Sequence, residues 1–397
     1  MKILAIHNYH RKGSASGDDQ VFNSETALLE EHGNQVIRYT VRNDEFDNAG
    51  AFGKLKLAFG MLWSFKNYKN VQEIIEREKP DIVHVHTFFP LLSPSILYAA
   101  KRKNCKVVAT LHDTRFICPC STSLRGNKLC NECGDGHYFR MCRYKCFKGS
   151  GLQSFMVACV FKYHRARQTF YKQIDHYICL NDNQIRLLEN IGFDGKKITK
   201  KYNFVPDAQA GLPAVKPDGV PDRYAVFYGR IGEEKGVRLL MKIWDQLPDI
   251  PLVVMGAGPL EKEFGEWAEK HDNVYFLGYT QHERCMSIVK GGEFVVFPSI
   301  WYEGCSMVEI ETESLGRGLI ATDLGFSSEA IEEGVNGYKV RLNDVDGFVN
   351  AIKKLWADPE QCKAIGERAR LDYQKKYQPE TNYQELMQIY KKVMNDE

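Results

Sequence analysis

Glu303 and Glu311 stand eight residues apart in the run Trp301-Tyr302-Glu303-Gly304-Cys305-Ser306-Met307-Val308-Glu309-Ile310-Glu311, and Arg230 and Lys235 stand five apart in Gly229-Arg230-Ile231-Gly232-Glu233-Glu234-Lys235-Gly236. Carboxylates accept hydrogen bonds from hydroxyls and repel phosphate, whereas a guanidinium forks onto two phosphate oxygens and an ammonium adds a mobile point charge. Together the four residues suit a ligand whose diphosphate is flanked by hydroxyl-bearing groups, as in a nucleotide sugar. Taken singly, each pair also fits a solvated surface, because glutamates at this spacing are common on exposed helices and a charged loop needs no ligand.

The elements that hold these residues narrow the choice. Phe294-Val295-Val296-Phe297-Pro298-Ser299 begins with the unbroken apolar run of a buried strand. A small-residue turn follows at Gly304, a helix starts near Ser306, and the next apolar stretch ends at Gly316. The first N–H groups of a helix lack intrahelical partners, so the segment Gly304, Cys305, Ser306, Met307 and Val308 offers amide donors to a phosphate. Glu303 lies before that end and Glu311 beyond it, one on either side of the anion. Arg230 and Lys235 follow a strand ending at Tyr228, where they would neutralise a leaving diphosphate.

Apolar runs alternate with helical patterns along the whole chain, the signature of parallel sheets covered by helices. The predicted strands of the first half are Lys2 to His7, Gln35 to Val41, Asp81 to His86, Lys106 to Leu111, His176 to Leu180 and Ile198 to Asn203. Those of the second half are Tyr224 to Tyr228, Pro251 to Met255, Val274 to Leu277, Phe294 to Pro298 and Leu319 to Thr322. Residues 207–221 lie in a proline- and glycine-rich run without period, which reads as a linker. The expected organisation is therefore an N-terminal doubly wound domain over 1–206, a second over 222–378, and a C-terminal helix over 379–397. A length of 397 residues suits two domains of ordinary size. The net charge of +2 gives no general drive toward nucleic acid, and no basic stripe stands out. The N-terminal apolar run is too brief for a signal peptide and no stretch reaches spanning length, so a cytoplasmic location is expected.

The run from Glu303 to Gly316, with Ala321-Thr322-Asp323-Leu324-Gly325 and Gly334-Val335-Asn336-Gly337-Tyr338, resembles the donor-site signature of family 4 of the retaining glycosyltransferases. The resemblance spans nearly the whole chain and is most specific in its second half. It implies the GT-B fold, two Rossmann-like doubly wound parallel-sheet domains facing across a cleft, with the last helix crossing back to the first domain. It also implies a metal-independent, retaining transfer of a hexose-type sugar from a nucleotide diphosphate donor to a hydroxyl of a saccharide or lipid-linked saccharide, in cell-surface polysaccharide synthesis. His112, Arg230, Lys235 and Glu303 would then be catalytic, with Glu303 on the sugar hydroxyls and Glu311 on the ribose. Met255-Gly256-Ala257-Gly258-Pro259 would lie near the nucleotide, and the backbone at Tyr279 near the base. Tyr279 either stacks on that base or packs in the core.

In the first half, the segment Asn8 to Asp19, including Gly13, Ser14, Ser16 and Gly17, reads as a loop over the cleft. Relatives often carry two glycines where this chain has Ser16-Gly17, and Gly17 is the donor-binding candidate. His112 follows the strand Val107 to Leu111 and would face the cleft; the resemblance places it near the donor sugar, to position and polarise. His84 and His86 share one face of the preceding strand. His86 is the acceptor candidate, and His84 reads as packed.

Cys118, Cys120, Cys130, Cys133, Cys142 and Cys146 fall in an insertion over about 113–150. Cys130-Asn131-Glu132-Cys133 has zinc-knuckle spacing, and Cys118 with Cys142 or Cys146 would complete four thiolates; Cys118, Cys130, Cys133 and Cys146 are the metal candidates. Free buried cysteines are the alternative. A structural zinc apart, no cofactor is expected. Ala51 to Asn67 and Phe155 to Lys172 mix apolar and basic residues, as core-facing helices or peripheral membrane-surface segments do. The rival function is a GT-B protein that binds nucleotide sugar without turnover and docks a partner through the cysteine insertion.

Overall fold

The computed structural model describes residues 1–12, 16–47, 51–126, 128–207 and 211–395. Gly13, Ser14 and the linker residues 208–210 lie outside them, as do the side chains of Phe52, Lys54, Leu55 and Lys56. Contacts divide the chain into two compact units, Met1–Lys201 with Asn382–Glu397, and Tyr202–Thr381.

The first unit is built on β1 (Lys2–Tyr9), β2 (Gln35–Arg42), β3 (Ile82–Thr87) and β4 (Lys106–Leu111). A short antiparallel hairpin, β5 (Leu124–Arg125) with β6 (Lys128–Leu129), interrupts the series before β7 (His176–Cys179) and β8 (Ile198–Lys200). The sheet runs β2-β1-β3-β4-β7-β8, all parallel. Side chains alternate across a strand, so Leu4 and Ile6 of β1 enter one apolar layer while Ile3 enters the other. Ile3, Ile82, Val108 and Ile178 are covered by Leu386, Ile389, Tyr390 and Val393 of the C-terminal helix Pro379–Asn395.

The second unit holds β9 (Ala225–Tyr228), β10 (Leu252–Met255), β11 (Val274–Phe276), β12 (Phe294–Phe297), β13 (Gly318–Thr322) and β14 (Gly337–Val340), in the order β11-β10-β9-β12-β13-β14, again parallel. Strand β14 is an addition to the sequence reading: four residues at a sheet edge with Lys339 among them give too short a pattern to separate from a glycine stop. In both sheets the first strand has later strands on either side, so the order reverses beside β1 and beside β9. Ligands of such sheets bind beyond the strands' carboxyl ends at that reversal.

Both mixed apolar–basic segments are largely helical. The helix Gly151–Ala166 buries Val157, Ala158, Val160, Phe161 and His164, while Leu152 and Phe155 are exposed. After the helix Ala51–Gly60, Met61 is buried and Phe59 and Phe65 are exposed. Among the described residues, no helix is long and apolar enough to cross a membrane.

Candidate functional site

Three loops follow β9, β10 and β11, and backbone hydrogen bonds lace them together. Gly229 N–H donates to Met255 O at 3.0 Å, Ile231 N–H to Ala257 O at 3.0 Å, and Gly256 N–H to Gly278 O at 2.8 Å. Two glycines let the first of these loops approach its neighbours closely. A Cβ on Gly236, whose φ is +72°, would stand 1.9 Å from Pro298 O, and one on Gly258 would stand 2.5 Å from Ile231 O. The loop carrying Arg230 and Lys235 is thereby pinned against the segment that follows β12.

That pinning sets the central contact. Lys235 Nζ lies 2.6 Å from Glu303 Oε1, 68 residues away, and Ser299 Oγ lies 2.7 Å from the same oxygen. The ammonium sits over the rings of Phe297 and Trp301, 5.3 and 5.4 Å from their centroids, a cation–π setting that holds its charge in place. Glu303 is fixed through its backbone too: Phe326 N–H donates to Glu303 O at 3.2 Å, and a Cβ on Gly325 would collide with that backbone. Arg230 is half-exposed, with Nε 3.4 Å from Glu234 Oε1.

The helix Met307–Ser314 starts just beyond, capped by Ser306 without a side-chain bond to its amides. Gly304, Cys305, Ser306, Met307 and Val308 thus form the turn and first residues of a helix at the sheet's switch point, and Asn203 Nδ2 holds the turn by donating to Cys305 O at 2.8 Å. Glu311 is buried and accepts from His282 Nε2 at 2.8 Å. The bond from Glu311 raises the imidazole's pKa above its ordinary value, against the opposing effect of burial. His282 was not read from the sequence, because a histidine on an otherwise ordinary helix start has no local signal. Glu309, between the two predicted glutamates, points into the interior; burial, then the charge of Glu303, pushes its carboxyl up to about 8. Tyr279 is 75% exposed at the end of the loop after β11, so the core alternative is excluded. Gly258 lies in the laced loops.

In the first unit, Gly17 opens the helix Gly17–Glu31 behind Ser16, whose Oγ lies 2.9 Å from His10 Nδ1. His112 lies past β4, half-buried beside a cavity of about 30 Å³ shared with His86, Asp113 and Arg115. Its Nε2 lies 3.1 Å from His86 Nδ1. His86 is itself buried, its Nε2 3.1 Å from Glu25 Oε1. Burial lowers the pKa values of His84, His86 and His112 to about 4, so all three are neutral imidazoles at neutral pH. Behind them, Lys201 Nζ meets Glu25 Oε2 at 2.9 Å and Asn382 Oδ1 at 3.0 Å. Tyr390 Oη lies 2.7 Å from His84 Nδ1, and His84 Nε2 lies 2.8 Å from Thr110 Oγ1. His84 is packed, as its strand position suggested. Glu25, His84 and His86 bring candidate ligand atoms within 4.8 Å of one another, but the Lys201 ammonium already occupies that carboxylate, so the group is a buried charge network.

The charged loops of the second unit thus stand at the strand-order reversal, where open parallel sheets bind their ligands. The chain matches the family model of glycosyl transferases group 1 over residues 214–372 and that of glycosyltransferase family 4 over residues 26–209, most of its length between them. It is 32% identical to the alpha-D-kanosaminyltransferase of Streptomyces kanamyceticus over 184 residues, 44% of this chain and 47% of that protein. It is 28% identical to the O-antigen chain mannosyltransferase C of Escherichia coli over 162 residues, 40% of this chain and 43% of that one. The chain thus spans less than half the length of either relative. Its fold is similar to that of HepE from Anabaena, crystallised in complex with UDP, with a TM-score of 0.67 over 99% of this chain and 100% of that one at 17% identity. The chain belongs to the group 1, family 4 glycosyltransferases and has the GT-B fold.

Proposed function

We propose that the protein transfers a hexose-type sugar, with retention of configuration, from a nucleoside diphosphate sugar to a hydroxyl of a saccharide or lipid-linked saccharide, in polysaccharide synthesis. The contact between Lys235 and Glu303 at 2.6 Å carries this reading, since it sets a cation for phosphate beside a carboxylate for hydroxyls at a sheet's switch point. Arg230 and Lys235 take the diphosphate, joined by the amides of Cys305 to Val308. Glu303 accepts from the sugar hydroxyls and Glu311, oriented by His282, from the ribose; Tyr279 stacks on the base, while Gly17 and Gly258 let backbone approach the donor. For His112 we propose a positioning and polarising role, with its neutral ring held by His86, which stands toward the acceptor.

In the transfer, the bond from the anomeric carbon to the phosphate oxygen breaks and the bond to the acceptor oxygen forms on the same face. The acceptor's proton passes to the leaving phosphate, whose growing charge Arg230 and Lys235 neutralise, so no metal is needed for the step. The likeness to a UDP-bound GT-B protein and the match to an O-antigen mannosyltransferase support the donor class and the saccharide acceptor.

A panel of nucleotide sugars, read by thermal stabilisation and then by transfer to saccharide acceptors with the linkage determined by NMR, tests the reading. The expected result is one donor that raises the melting point by mass action and yields an axial or equatorial linkage matching the donor's own. An inverted linkage contradicts retention. Donor binding without any transfer or hydrolysis contradicts catalysis.

A further inference from the structure

The insertion after β4 has little core of its own. Its regular structure is the two-residue strands β5 and β6 and the four-residue helix Arg140–Arg143. What its elements share is one small cavity lined by Cys118, Cys120, Cys130, Cys133 and Cys146, with Leu124 and Met141 on its apolar side. The hairpin brings the cysteines together: Leu124 pairs with Leu129, Arg125 with Lys128, and Cys130 N–H donates to Ser123 O at 2.8 Å. Cys118 and Cys120 therefore enter from one arm and Cys130 and Cys133 from the other. Cys146 follows the short helix, its N–H bonded to Met141 O at 3.1 Å. Cys142 stands apart, with Cys159 as its neighbouring thiol.

The cavity measures about 20 Å³, and about 10–15 Å³ already holds a single water. It has room for one ion and for no organic ligand. Its lining offers a water only thiols, which are weak hydrogen-bonding groups, whereas it offers a soft metal ion up to five sulfurs.

We propose that the insertion is a structural zinc site in which Cys118, Cys130, Cys133 and Cys146 are the four ligands and Cys120 is a fifth, non-ligating thiol. Cys118 and Cys120 both line the cavity, and the serine variants below separate the ligand from the spare thiol. Among the described residues no three thiols stand within 4.8 Å of one another; zinc, at about 2.3 Å from each sulfur, draws them inward. Four thiolates leave zinc no open position, so the ion ties the two arms of the hairpin to the segment after the short helix and takes no part in bond-making. The proposal is independent of the donor chemistry, since every residue in it lies in the insertion.

The test is the zinc content of the full chain, purified under reducing conditions and freed of loose metal by gel filtration in dilute EDTA. About one zinc per chain is expected. Cys130→Ser and Cys133→Ser should each bring it to background, while Cys120→Ser and Cys105→Ser retain it. Because a variant that fails to fold would also lose metal, the wild-type protein exchanged with cobalt supplies a second readout. Sulfur-to-cobalt charge-transfer bands with the visible bands of tetrahedral cobalt are expected. A chain that carries no zinc and gives no such bands overturns the proposal, as does mass spectrometry showing these cysteines paired in disulfides. Zinc lost in Cys120→Ser but kept in Cys118→Ser overturns the ligand set.

Discussion

Lys201–Glu25 in the first unit and Lys235–Glu303 in the second are the same chemical pair at nearly the same separation, 2.9 and 2.6 Å, in different surroundings. Lys201 and Glu25 are each 1% exposed and are surrounded by Asn382, His84 and His86. Lys235 and Glu303 keep 17% and 9% exposure on loops at the end of a sheet, beside a helix start. An enclosed pair whose members are all engaged joins parts of the fold. A pair at the edge of water can exchange its partner for an anion and a hydroxyl. The difference lies in burial, so the two pairs should fail in different ways when broken.

The largest effect is expected at the enclosed pair. Glu25→Ala leaves the Lys201 ammonium buried without its counter-charge and should lower stability by about 3–5 kcal/mol in urea unfolding. Lys235→Ala should cost less than about 1 kcal/mol of stability, because water can reach the site. It should instead reduce the rate of transfer by roughly 10²–10³-fold, the size seen when one donor to developing negative charge is removed. Equal destabilisation by the two variants would erase the distinction.

A smaller effect is expected at Tyr279, whose exposed ring is placed to stack on a base. Tyr279→Ala should weaken nucleotide binding by about 1–3 kcal/mol in calorimetry without lowering stability. Unchanged affinity would remove the base from that loop.

The units also differ in their response to pH. His84, His86 and His112 have folded pKa values near 4 against an ordinary 6.5. Their folded forms bind fewer protons between those values, so the first unit's stability is complete above pH 6.5 and falls as pH drops toward 4. Glu309 is the reverse case, about 8 when folded against an ordinary 4.5. The folded form holds a proton that the unfolded chain releases, so the second unit loses stability as pH rises from 4.5 to 8, by up to about 1.4 kcal/mol per pH unit. Glu309→Gln should reduce that slope in unfolding curves at pH 5 and pH 8, the remainder coming from Glu313, whose carboxyl burial also raises. A slope unchanged in the variant places the titration elsewhere.

Much of the fold was legible because parallel strands buried on both faces are written as continuous apolar runs, and those starting near Lys2, Lys106 and Phe294 each became a strand. Strand β14 and the hairpin β5–β6 were not, since two to four residues at an edge carry too little pattern. The candidate site residues were legible where glycine, charge and a helix start lie together in sequence, as around Arg230 and Glu303. Their pairing was not, because Lys235 and Glu303 meet only when β9 and β12 become neighbours. The Glu25 network was hidden for the same reason. Residues 25, 84, 201, 382 and 390 share no local motif and are gathered by strand order and the returning C-terminal helix.

The most direct test is a titration of UDP and other nucleoside diphosphates into the wild-type protein and Lys235→Ala, followed by calorimetry at one ionic strength. The account predicts that the wild type binds at least one of them and that the variant binds it at least about tenfold more weakly, a loss of about 1.4 kcal/mol, with its melting temperature in the absence of ligand lowered by no more than about 4 °C. Equal affinity in the two proteins would contradict it, because the lysine beside Glu303 would then hold no phosphate.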